Sequence, residues 1–375
     1  MKSGWVIKKL GEVCESISSR GFQIQQNEIC RIGKFPVVSQ SETFIEGYTD
    51  FDSAIERFPL VLFGDHTCCV KYIDFPFVVG ADGTKLLVSK HFEMKFLYYA
   101  VLKYSSFLVD GKYRRHFKDL KKLDIPIPPL TEQKRIVAKI DAAFEKIDKL
   151  KANVEKNLAN AKELFQSALD EAMRPKEGWM EKRLGEVYNF IDYRGKTPTK
   201  IKNGVPLVTA RNVRMGYLDY SVKDFISYEE YETRQSRGVA HKGDLLFTTE
   251  APLGFVAIAD LDEFSTGQRL ITFQQYENSP YELLNKFYFY YLQSKDFQSE
   301  IRKQATGATA QGIKASRLKD ILVVVIPLLE QERIVNRLDL LAEKIKMLEQ
   351  NYTQQIADCV EMRQAVLREA FEGRL

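Results

Sequence analysis

The residues best suited to chemistry stand in short basic stretches between apolar runs. Lys112-Tyr113-Arg114-Arg115, Arg194 with Lys196 and Thr197, Arg211-Asn212 with Arg214, and Gln268-Arg269 mix cations with amides, hydroxyls and an aromatic ring. His66 and Lys314 join this set as further candidates. Loop cations hold phosphates, Arg pairs with guanine, and Asn or Gln pairs with adenine, so the set points to double-stranded DNA. A solvated surface accounts for many single clusters of this kind; their spread over two parts of the chain favours a binding role.

Other chemistry fails at identifiable positions. Gly195-Lys196-Thr197 has the ending of a phosphate loop, but Phe190 stands where the first glycine is required and Pro198 interrupts the helix that should follow. His66, Cys68 and Cys69 lack a second ligand pair at workable spacing for zinc, and no metal site is expected. The chain has no Gly-x-Ser-x-Gly nucleophile elbow and no glycine-rich cofactor fingerprint. It also lacks the Asn/Asp-Pro-Pro-aromatic tetrapeptide of an amino-methyltransferase, since Pro128-Pro129 follows Ile127. No catalytic residue and no bound cofactor is expected.

Length and composition agree with an intracellular binding protein. At 375 residues the chain is long enough for two or three domains. Five cysteines without repeated spacing leave an odd thiol, which suits a reducing cytoplasm. The N-terminus has no apolar signal core, and the longest apolar stretch, 321–329, is too short to span a membrane and contains Pro327. A net charge of +4 is too mild to identify a polyanionic partner.

The elements that must position the basic loops are given by an internal repeat. Gly4-Trp5 with Leu10-Gly11-Glu12-Val13 recurs 174 residues later as Gly178-Trp179 with Leu184-Gly185-Glu186-Val187. Pro129-Leu130, Glu132-Gln133, Arg135-Ile136-Val137 and Asp141 recur at an offset of 198 as Pro327-Leu328, Glu330-Gln331, Arg333-Ile334-Val335 and Asp339. The chain is a tandem duplication whose middles have diverged, the second being longer by 24 residues.

After each Pro-Leu-x-Glu-Gln, residues 131–173 and 329–371 contain no proline or glycine and read as long helices, the first capped by Thr131. Each, at about 64 Å, is longer than its own domain is wide. A heptad seam runs through Ile140, Ile147, Val154, Ala161 and Ala168, with Ala143, Leu150, Asn157 and Leu164 three residues on. The second helix carries the same seam at Leu338, Ile345, Tyr352, Cys359 and Val366, with Leu341, Leu348, Gln355 and Met362. An antiparallel coiled coil is expected, with Asn157 and Gln355 placed to fix its register. The intervening segments read as α+β. Strands are expected at 35–38, 59–63 and 75–79 in the first and at 205–208, 244–248 and 255–259 in the second, with helices near 92–107 and 281–303.

This alternation, with Ile127-Pro128-Pro129-Leu130-Thr131-Glu132-Gln133, Phe63-Gly64-Asp65-His66-Thr67, Asp192-Tyr193-Arg194-Gly195-Lys196-Thr197-Pro198 and Gly243-Asp244-Leu245-Leu246-Phe247-Thr248-Thr249, resembles the specificity subunit of type I restriction-modification systems. The second junction departs from the pattern, because Pro327-Leu328-Leu329 lacks the second proline and a polar cap. The resemblance implies target recognition domains at 1–130 and 175–328, and coiled-coil helices at 131–174 and 329–375. It further implies a non-catalytic chain that reads a bipartite, interrupted DNA site. Partner methyltransferase (M) and restriction (R) subunits would carry S-adenosylmethionine, ATP and Mg. Alternatives are the corresponding subunit of a type IIB-like system that cuts on both sides of its site, and a coiled-coil adaptor that binds only protein.

Overall fold

The structure is a computed structural model describing residues 4–80, 82–109, 113–195, 197–307 and 311–375. It divides into two units, residues 1–156 with 352–375, and residues 157–351.

The first unit begins with β1 (Val6–Lys9), α1 (Leu10–Val13) and β2 (Glu15–Ile17). Strands β3 (Phe35–Val38), β4 (Gly47–Thr49), β5 (Leu60–Gly64), β6 (Val70–Ile73), β7 (Val78–Val79) and β8 (Thr84–Val88) follow. Then come α2 (Met94–Ser105), α3 (Phe117–Leu120), β9 (Asp124–Ile127) and the 44-residue α4 (Leu130–Met173). The strands form an antiparallel sheet β2-β8-β5-β6, a sheet β4-β3-β7 and a ribbon β1-β9. β5 is apolar throughout because both its faces are buried: Val61 and Phe63 pack toward α2 and α4, Leu60 and Leu62 toward Val38, Phe77 and Val79.

The second unit repeats this topology although the middles of the two halves share little sequence. It contains β10 (Met180–Arg183), α5 (Leu184–Val187), β11 (Tyr188–Asp192), β12 (Val205–Val208), β13 (Val213–Arg214), β14 (Tyr217–Leu218) and β15 (Phe225–Ile226). These lead to α6 (Tyr228–Arg234), β16 (Leu245–Thr249), β17 (Leu253–Ile258), β18 (Ser265–Thr266) and β19 (Leu270–Gln275). Last are α7 (Asn285–Tyr291), α8 (Lys295–Gln304), α9 (Ala315–Asp320), β20 (Leu322–Val325) and the 44-residue α10 (Leu328–Phe371). The sheets β11-β19-β16-β17, β15-β12-β18 and the ribbon β10-β20 reproduce those of the first unit. In each, the middle strand of the three-stranded sheet, β3 or β12, has one antiparallel and one parallel neighbour. The β13-β14 hairpin and α6 take up much of the second unit's extra length. The stretch near 281–303 is two helices, because the chain turns at Ser294 and its side chain caps α8.

The repeated sequence serves the junction of helix and globule. Gln133 is buried; its Oε1 accepts the N–H of Glu93 and its Nε2 donates to Pro128 O, both at 2.9 Å. Gln331 does the same with Leu284 N–H and Ile326 O, both at 2.8 Å. Asp141 binds Lys95 at 2.8 Å and the Tyr99 hydroxyl, and Asp339 binds Lys286 and the Tyr290 hydroxyl, each at 2.7 Å. Gly11 and Gly185 leave room for Lys121 and Lys319; a Cβ at Gly185 would lie 2.9 Å from Lys319 Cβ.

Within each unit the two long helices run antiparallel. In the first, Asp148 meets Arg363 at 2.5 Å and Arg135 donates to the Leu375 carbonyl at 2.7 Å. In the second, Lys162 faces Glu349 at 4.0 Å. Segments of the opposite helix complete each globular core: Leu367, Ala370 and Phe371 in the first unit, and Leu169, Ala172 and Met173 in the second. These two triplets are 198 residues apart, the offset of the repeat.

The seam has the expected period but a different second row. Ile140, Ile147, Val154, Ala161, Leu338, Ile345 and Cys359 are buried, and Ala168, Tyr352 and Val366 half-buried. Leu150, Asn157, Leu164, Leu348 and Met362 are exposed, Leu164 to 58%, while Ala143, Leu341 and Gln355 are half-buried. In the first helix the inward row lies one residue further on, at Phe144, Leu158, Phe165 and Ala172, whereas in the second Leu341 and Ala342, and Gln355 and Ile356, are alike half-buried and only Ala370 is clearly inward. The globules select it: Phe144 packs edge-on to Tyr99 at 5.4 Å and Phe165 against Tyr290 at 6.3 Å. Exposed Asn157 therefore forms no buried polar layer. α4 also begins at Leu130, which places Thr131 inside its first turn rather than at the cap.

Candidate nucleic-acid interface

In each unit the same four connections converge on a cleft: the segment after the first strand of the four-stranded sheet, the loop after β3 or β12, the β5-β6 or β16-β17 hairpin, and the loop before β8 or β19. Their turns need unusual backbone, with φ of +56° at Cys68 and +45° at Ala251 in the two hairpins.

The first cleft, about 700 Å³, is lined from these loops by Gln26, Gln40, Glu46, His66, Thr67 and Asp82, with Tyr113 from the α2-α3 connection. Gln40 ties three loops together. Its Nε2 donates to Asp82 O at 2.7 Å, its Oε1 accepts the His66 N–H at 3.2 Å, and its carbonyl accepts the Thr67 hydroxyl at 2.7 Å. Gly83 makes this closeness possible, with φ +79° and space where a Cβ would lie 2.8 Å from the His66 ring. Lys71 is buried and donates to Ser39 O at 2.9 Å and Thr43 O at 2.5 Å, fixing the 39–43 loop from beneath; burial pushes its ammonium pKa down. The His66 ring stacks on Tyr113 at 4.7 Å and 6°, and Tyr113 is 86% exposed. Buried His66 Nδ1 has no partner among the described residues.

The second cleft, about 250 Å³, is lined by Thr197, Lys200, Arg211, Ala251, Gln268 and Arg269 among others. Gln268 donates to the Thr197 hydroxyl at 2.7 Å. Asp224 holds Arg211 at 2.6 Å and Lys200 at 2.8 Å. Burial raises the Asp224 pKa, but the hydrogen bonds from Lys200 and Arg211 outweigh it and hold the carboxyl below its ordinary range. Behind the site, buried Arg234 lies 4.5 Å over the Tyr193 ring and donates to Ser265 Oγ at 3.1 Å and Thr266 O at 2.7 Å, bracing the loop before β19.

The expected site residues thus divide. His66 and Tyr113 meet in the first cleft, and Thr197, Arg211, Gln268 and Arg269 in the second. Arg114 pairs with Asp119 at 2.7 Å, Arg214 with Asp219 at 3.0 Å, and Arg194 is held by both oxygens of Asp192, all outside the cleft linings. Arg115 and Lys314 are exposed, also outside them. Lys112 and Lys196 lie outside the described residues. Asn212 is a correction: it is 2% exposed, and Thr209 N–H and hydroxyl, Asp219 O and Val222 O use all its hydrogen-bonding capacity. It braces the loop that carries Arg211 and is not available to a base. Gln40, Lys71, Lys200, Asp224 and Arg234 were not expected, since their roles depend on partners 13 to 42 positions away that no spacing rule connects.

Residues 2–159 and 176–357 match the family described as the type I restriction modification DNA specificity domain. The chain is 25% identical over 378 residues to the EcoR124I/EcoR124II specificity subunit of Escherichia coli, covering 95% of this chain and 90% of that one. It is 26% identical over 273 residues to the EcoKI specificity subunit of Escherichia coli strain K12, covering 68% and 58%. Among solved structures, a chain from a study of complex assembly and conformational transition of the type I R-M system aligns over 100% of this chain and 99% of that one, with TM-score 0.75 and 22% identity. The HsdS subunit from Thermoanaerobacter tengcongensis aligns over 100% and 98%, with TM-score 0.50 and 21% identity. With two matches that together span most of its length, the chain belongs to the type I restriction modification DNA specificity domain family.

Proposed function

We propose that this chain is the DNA-recognition subunit of a type I restriction-modification complex, reading an interrupted site with one half for each globular unit. The observation that carries this reading is the pair of clefts, made by the same four loops on one duplicated scaffold yet lined by different side chains. A duplication that preserves framework and changes lining suits two readers of two different half-sites. A protein-only adaptor has no need of such linings.

The chain itself performs no chemistry in this proposal. Methyltransferase subunits supply S-adenosylmethionine and restriction subunits supply ATP and Mg, in the cytoplasm where the DNA lies. Exposed Leu164, Leu340 and Met347 on the long helices offer apolar contact for those partners. The decisive experiment expresses the chain with its methyltransferase subunits and maps methylated bases across a genome. An asymmetric, interrupted methylated motif is expected; methylation without sequence preference, or none in a complex that assembles, would refute the reading.

A further inference from the structure

The linings of the two clefts differ in chemical kind. No Lys or Arg is found among the described residues lining the first, whereas Lys200, Arg211 and Arg269 line the second. We propose that the first unit reads an A·T pair through Gln26 and the second a G·C pair through Arg269, an inference that rests on the DNA-reading function above and adds base identity to it.

Arg269 is presented for this task. Its carbonyl accepts the Thr249 N–H at 3.0 Å, anchoring the backbone to β16, and its Nε lies 3.0 Å from Glu250 Oε1. Glu250 sits in the hairpin, where its backbone forms a β-bridge to Gly312 that holds the start of its side chain in place. Among the described residues no hydrogen bond from either Nη group is seen, and the ion pair to Glu250 runs through Nε. Two parallel N–H donors at the end of a planar fork match the O6 and N7 acceptors of guanine. Opposite adenine, one of them would meet the N6 amino donor, leaving two donors unsatisfied in a desolvated contact.

Gln26 opens a short 3-10 turn, Gln26–Glu28, at the rim of the first cleft. Two other amides of this cleft are used within the protein: Gln23 donates to Ser19 Oγ at 2.9 Å and Gln40 ties the loops, while Gln25 uses its backbone N–H, which donates to Glu28 Oε2 at 2.7 Å. The exposed Gln26 carboxamide has no such bond among the described residues. It presents one donor beside one acceptor, the complement of adenine N7 and N6. The first cleft's described lining has no paired cationic donors with which to select guanine.

The test uses the full chain assembled with its methyltransferase subunits, with methylated motifs mapped by long-read sequencing for wild type, Arg269→Ala, Arg269→Gln and Gln26→Ala. Arg269→Ala should relax one G·C position in one half-site, with a loss of discrimination of roughly 5- to 140-fold. Arg269→Gln should move that position toward A·T. Gln26→Ala should relax one A·T position in the other half-site. In each variant the untouched half-site reports that the protein is folded and assembled. An unchanged motif, or a relaxed position of the opposite base-pair type, overturns the assignment while leaving the DNA-reading function intact. A wild-type complex that modifies no interrupted site refutes that function itself, and the assignment with it.

Discussion

Gln331 accepts the backbone N–H of Leu284 at 2.8 Å across 47 residues of chain, locking the first turn of α10 to the entry of α7. Gln331→Ala leaves three backbone groups, Leu284 N–H, Glu282 O and the buried Ile326 O, without this partner. A loss of about 1–3 kcal/mol is expected for the second unit. Gln133→Ala should act likewise on the first. Denaturant unfolding of both variants checks this, and a midpoint equal to wild type in either contradicts the role given to that glutamine.

Asp224 restrains two cations at the second cleft. Asp224→Asn should free Lys200 and Arg211 and remove a negative charge, so that affinity for arbitrary duplex DNA rises and falls more steeply with salt. Titrations at two or more salt concentrations measure this; lower affinity at every salt concentration would contradict it. The carboxyl's folded pKa is depressed, so its contribution to stability is present above the ordinary value of 3.8 and is lost as pH falls through the folded value. The stability gap between wild type and variant should therefore be full at neutral pH and vanish in acid.

A fragment of residues 1–177 should dimerise. It lacks Leu367, Ala370 and Phe371, which pack into the first unit's core, where Phe371 contacts Phe96 at 5.0 Å. Leu169, Ala172 and Met173 of a second copy occupy the equivalent repeat positions. Light scattering should show a dimer at micromolar concentration, and with methyltransferase subunits the fragment should modify a symmetric interrupted site. A monomeric wild-type fragment, or a Leu169→Asp fragment that still dimerises, would refute this mode of pairing.

Four residues inserted near Asn157 and four near Gln355 should lengthen each helix by about 6 Å. A heptad seam tolerates that insertion as a stutter. The methylated motif should keep both half-sites and change its gap by one or two base pairs, at roughly 3.4 Å each. An unchanged gap would show that the helices do not set the spacing.

What could be read from the sequence was whatever is periodic or duplicated. The long helices, the seam's first row at Ile140 and Ile147, and the buried strand 60–64 all follow from local pattern. The second row did not, because Ala143 and Phe144 both satisfy a 3.6-residue period and contact with Tyr99 decides between them. The loops were partly legible: basic composition drew attention to Arg211 and Arg269. It equally suggested Asn212, which burial removes, and passed over Gln40, whose three partners come together only in the fold.

Because Leu367, Ala370 and Phe371 complete the first unit's core, synthesis and folding of that unit are separated in time. The ribosome makes residues 4–127 early, yet the socket around Phe96 and Tyr104 stays open until the last turn of α10 has emerged. Chains that stall or are cleaved before that point carry an uncovered aromatic surface as monomers, a ready mark for chaperones and proteases. Quality control can in this way remove incomplete chains that have not found a second copy to close the socket.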